Sequence, residues 1–61
     1  MTLEEIKQYF GQNQTYQFNG TESQLHDLML SLNANYHTLV VRDVVYFTTA
    51  IDISNENVTA L

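Results

Sequence analysis

The sequence predicts a small α+β domain built on a three-stranded antiparallel sheet. The elements run α-β-α-β-β, the strand order is 1-3-2, two helices pack on one face, and a short C-terminal helix is optional. Three observations carry this. Two capping boxes, Thr2-Leu3-Glu4-Glu5 and Thr21-Glu22-Ser23-Gln24, each open an apolar pattern of helical period. The stretch 38–49 is β-branched, aromatic or aliphatic except for Arg42-Asp43, the composition of two strands joined at a turn. Sixty-one residues without cysteine make one domain, 1–61, with a thin core and no disulfide to reinforce it.

Taken in order, the first helix starts at Thr2 and turns Leu3, Ile6 and Phe10 inward, with Tyr9 beside them and Glu4, Glu5, Lys7 and Gln8 in water. Gly11 ends it, because glycine adopts the left-handed closing conformation cheaply. After a polar connector, Gln12-Asn13-Gln14, the alternation in 15–19 predicts a half-buried strand with Tyr16 and Phe18 on one face. Asn19-Gly20 is a turn signal that stops it. The second helix follows, with Leu25, Leu28, Met29 and Leu32 as its stripe, and Asn33-Ala34-Asn35 closes it.

A right-handed crossover then leads into the hairpin, whose last strand inserts between the other two and makes the whole sheet antiparallel. Arg-Asp suits the tight primed turns poorly, since these favour Asn-Gly or Asp-Gly. The sequence therefore predicts either a longer, looser turn or one long bulged strand across 38–49. Beyond Ala50, Ile51-Asp52-Ile53 extends the last strand. Ser54 is placed to cap a helix at 54–61 that carries Val58 and Leu61 inward.

The hairpin is apolar on both sides. Leu39 and Val41 oppose Thr38 and Val40, and Val45, Phe47 and Thr49 oppose Val44, Tyr46 and Thr48. A small two-layer domain normally leaves one sheet face polar. The second face therefore calls for a cover: another segment of the chain, a second copy, or a partner.

Charge narrows the function classes. Lys7 and Arg42 are the only strong cations against seven carboxylates, for a net charge of −5. Two cations cannot supply the phosphate neutralisation that nucleic-acid binding needs, even with seven aromatic residues available for base stacking. The same deficit disfavours anionic membranes and favours a protein partner, a basic one in particular. The start of the chain lacks a basic n-region and an apolar h-region, and no apolar run approaches a membrane span, so the expectation is a cytoplasmic protein.

Catalytic, cofactor and metal motifs are not apparent. There is no Gly-x-Ser-x-Gly elbow, no His-Glu-x-x-His pair and no glycine-rich phosphate loop. Glu22 and His26, four apart on the second helix, with His37 beyond, form only a weak metal constellation.

The expectation is a non-catalytic protein–protein interaction module, a small acidic regulator or inhibitor, homodimeric through its apolar hairpin. The contact residues expected are Val40, Arg42, Asp43, Val44 and Tyr46 on the hairpin, with Glu4, Glu5, Glu22 and Asp27 on the helices. Two alternatives stand beside it. One is a phage or mobile-element acidic inhibitor whose carboxylates imitate nucleic-acid phosphates. The other is an enzyme or small-ligand site formed between subunits and lined by Tyr, His and Asp.

Overall fold

Both capping boxes close as the sequence requires. The Thr2 amide donates to Glu5 Oε1 at 2.9 Å and the Glu5 amide to Thr2 Oγ1 at 3.2 Å. The Thr21–Gln24 pair repeats this at 2.9 and 3.2 Å. These start α1 (Leu3–Tyr9) and α2 (Glu22–Ser31) in a computed structural model that describes residues 1–11 and 13–61. Gln12, in the expected connector, lies outside the described residues. Gly11 at φ +71° follows the α1 cap, and Asn33 at φ +52° follows that of α2. The Ala34 amide reaches Met29 O at 3.1 Å, which satisfies a carbonyl that the helix end would otherwise leave open.

The strands are β1 (Thr15–Phe18), β2 (Tyr36–Val41), β3 (Val44–Thr49) and β4 (Val58–Ala60). They form one four-stranded antiparallel sheet in the order β2-β3-β1-β4. The expected 1-3-2 arrangement is there, with β3 between β1 and β2. The count of three strands is corrected to four. No C-terminal helix forms at 54–61; its last residues pair with the free edge of β1 instead. The cause is the backbone demand of that edge, which outweighs an eight-residue helix too short to hold itself. Asn19 N donates to Asn57 O at 2.7 Å and Leu61 N to Thr15 O at 3.0 Å.

The core lies between α2 and one sheet face. Tyr16, Phe18, Val45 and Phe47 from the sheet meet Leu25 and Met29 from α2, with Leu28, Ile53 and Val58 packed around them. Phe47 and Leu25 are fully buried, and the Tyr16 and Phe47 rings stack at 5.2 Å. Gly20 sits at the α2 start for lack of room, since a Cβ there would come within 2.6 Å of the Phe18 ring and 2.5 Å of Gln24 Oε1.

The helices do not share a face, which corrects the two-layer expectation. Ile6 and Phe10 of α1 are buried outside the α2 core cluster. Phe10 lines a depression with His37 and Thr48, which belong to the opposite sheet face. That face carries two buried residues among those described, the cross-strand pair Thr15 and Thr48. Because Leu25, Leu28 and Met29 fill the α2 face, the second apolar face is where Ile6 and Phe10 find burial. With only seven residues, α1 covers part of it. Leu39, Val41, Val44 and Tyr46, toward the hairpin tip, stay half-buried.

Candidate interaction surface

The hairpin turns tightly. Val41 pairs with Val44, so the loop is Arg42-Asp43 alone, and both residues have positive φ, +51° and +66°. This is the signature of a type I′ turn. The longer loop and the bulged strand are therefore both excluded. Six consecutive pairs between β2 and β3 set the register, and the turn residues take up a conformation that non-glycine side chains resist. Both side chains are exposed at the tip.

The register also decides which way the backbone of β2 points. In a two-residue hairpin the pair flanking the turn exchanges both hydrogen bonds, and antiparallel pairs alternate from there. Val41, Leu39 and His37 therefore face β3, and Val40, Thr38 and Tyr36 direct their N–H and C=O groups away from the sheet. The far side agrees: Thr15 and Asn19 bond toward the β4 side, which leaves Tyr16 and Phe18 bonding toward β3. Among the described residues, the outward amides of Tyr36, Thr38 and Val40 have no partner.

Around this edge lies apolar surface. Val40 is 43% exposed, and Leu30 on α2 is 65% exposed. Leu30, Ala34, Asn35 and Tyr36 line a shallow groove of about 530 Å³ with His26 and His37. His26 Nδ1 and Tyr36 Oη lie 2.8 Å apart, which pins α2 to the edge strand. Residues 28–41 contain no Asp, Glu, Lys or Arg.

The expected contact residues do not form one patch. Val40 lies on the edge strand facing the α2 side, and Arg42 and Asp43 form the tip. Val44 and Tyr46 lie on the central strand β3, facing the α1 side. Glu4 and Glu5 sit on α1, Glu22 and Asp27 on α2, and all four are exposed on opposite sides of the sheet. The structure therefore does not gather these four carboxylates into an array of the kind a phosphate mimic presents. Leu30, Tyr36 and Thr38 belong to the surface but were not singled out. The uncharged run at 28–41 does not single them out, since 8–21 is equally uncharged and holds the interior strand β1.

Glu5 has its carboxyl held below the usual carboxylate range, first by the Thr2 backbone N–H and then by the Thr2 hydroxyl. That is cap chemistry. Among the described residues no group of three or more His, Asp or Glu is placed to hold a metal, so Glu22, His26 and His37 do not converge. No described helix is long and apolar enough to cross a membrane. Comparison with protein-family models, with curated proteins and with solved structures finds no match to this chain.

Proposed function

We propose that this chain is a non-catalytic protein–protein interaction module, a small acidic regulator or inhibitor that acts by binding a protein partner through its hairpin. One observation carries the proposal: β2 is a six-residue edge strand with unpartnered amides and exposed apolar side chains beside it. Soluble proteins normally blunt such an edge with charge, proline or a bulge. This one has none of these between Tyr36 and Val41. The exposed carboxylates on both helices surround the sheet with negative potential, which favours a basic partner and disfavours nucleic acid.

The test is affinity capture from the native host with three baits: wild type, Val40→Lys, and a chain neutralised at Glu4, Glu5, Glu22 and Asp27. A protein held by the wild type and released by Val40→Lys supports the hairpin as the contact. Release only on neutralisation transfers the function to the carboxylates. Retention that ignores all of these changes overturns the proposal.

A further inference from the structure

We infer that the edge of β2 pairs with the same strand of a second copy, antiparallel, with Thr38 on the two-fold axis. This rests on the interaction-module proposal and names its first partner. A two-fold axis perpendicular to the sheet makes β2 antiparallel to its copy and keeps each face continuous. Only residues with outward backbone groups can bond across it, and these are Tyr36, Thr38 and Val40. Placing Thr38 on the axis sets Tyr36 opposite Val40 of the copy, Thr38 opposite Thr38, and Val40 opposite Tyr36. All three outward residues are then used, giving about six backbone hydrogen bonds. Moving the axis to Leu39 leaves Tyr36 facing Arg42 of the copy and drops it from the ladder.

Side chains support the same register. The exposed Val40 gains the Tyr36 ring of the copy as a neighbour on the α2 face. Leu30, exposed beside Tyr36 at the same edge, is brought toward the exposed Val40 of the copy. Charge explains why a second copy suits this edge. Two chains at −5 repel each other over most of their surfaces. Residues 28–41 carry no formal charge, so two copies can meet at this edge without bringing carboxylates together. The joined sheet has eight strands, and its outer edges are the short β4 strands.

The first experiment needs no substitution. Amide exchange is followed by NMR from micromolar to millimolar chain. Pairing slows Tyr36, Thr38 and Val40 by at least about tenfold as concentration rises, while Ala60 on the other edge is unchanged. Light scattering reaches about twice the 7.0 kDa chain mass and stops there. Self-association strengthens from low salt to about 0.5 M, because like-charge repulsion is screened. A basic partner would show the opposite sign.

Single cysteines at 36 to 40, in a chain that has none, then report the register. Thr38→Cys forms the intermolecular disulfide fastest, since residues facing each other across such a pair lie about 5.5 Å apart. Thr38→Pro removes one outward N–H and leaves a folded monomer. If that variant fails to fold, the exchange and cysteine results decide. A wild type that stays monomeric at millimolar concentration overturns the inference, as does faster cross-linking at Leu39. Growth past the dimer overturns it too, by showing β2 joined to β4 of the next chain. A monomer that still captures a partner through Val40 leaves the module proposal standing, so the two failures are distinguishable.

Discussion

The two edges of the sheet are treated in opposite ways. β4 is three residues long and tied at both ends, by Asn19 N to Asn57 O at 2.7 Å and by Leu61 N to Thr15 O at 3.0 Å. Gln14 clamps it further, its amide donating to Thr15 O and Leu61 O at 2.9 Å each. The outward amide of Val58 is already spent on Asn55 O at 3.1 Å. β2 is six residues long, is tied by its turn and by the His26–Tyr36 bond, and leaves three amides open. A short strand that leaves only the Ala60 amide open among its described residues ends a sheet; a long one with three open amides invites continuation.

The largest effect separates the inward and outward sides of β2. Leu39→Pro removes an N–H that bonds to β3 and should cost about 3 kcal/mol or more, enough to unfold so small a domain. Thr38→Pro removes an outward N–H and should cost the monomer about 1 kcal/mol or less, since edge strands tolerate proline. Urea unfolding in dilute solution measures both. Equal losses would show that the alternation assigned to β2 is wrong.

The turn comes next. Arg42 and Asp43 hold positive φ without the freedom of glycine, so replacing the pair by Asn-Gly should raise stability by about 1–2 kcal/mol. A higher urea midpoint with an unchanged slope is the expected outcome. A fall would mean that the Arg42 or Asp43 side chain contributes more than the backbone strain costs. On the other edge, Gln14→Ala should destabilise by about 1 kcal/mol, because two carbonyls lose a donor. Its exchange signature should be local, with Leu61 and Thr59 losing protection before β2 does.

This contrast was half legible in the sequence. Thr2-Leu3-Glu4-Glu5 and Thr21-Glu22-Ser23-Gln24 define their helix starts locally, the hairpin follows from composition, and the 1-3-2 order is a preference for a fully antiparallel sheet that the structure adopts. β4 was not legible, because Val58-Thr59-Ala60 is too short to show alternation and is drawn into the sheet by β1, some 40 residues away along the chain. The Arg-Asp turn failed as a signal because a six-pair ladder outweighs a two-residue preference. The doubly apolar hairpin did announce that a second face needed cover. It did not say that Ile6 and Phe10 of so short a helix would supply part of it. The open edge was not readable from charge, because 8–21, which holds the interior strand β1, is as free of charge as 28–41; the edge and its outward amides required the register.

The smallest expected effect is a pH dependence in α1, which covers the second face beside the hairpin. The Glu5 carboxyl is lowered from 4.5 by the Thr2 backbone N–H and the Thr2 hydroxyl. The group is fully exposed, so its contribution is screened. A carboxyl depressed on folding contributes stability that is present above its unfolded value and disappears as pH falls through its folded value. The window is therefore the acid side of 4.5. There the cap weakens, α1 frays from Thr2, and the buried Ile6 loses part of its shelter. Glu5→Gln keeps a capping-box acceptor that does not titrate, so its unfolding midpoint should fall less steeply than the wild type's across that window. The β4 edge carries no such carboxylate clamp, since Gln14 cannot ionise, and its amides should exchange alike in both proteins. If the two proteins show the same acid slope, the Thr2–Glu5 bond does not contribute to holding α1 on the sheet.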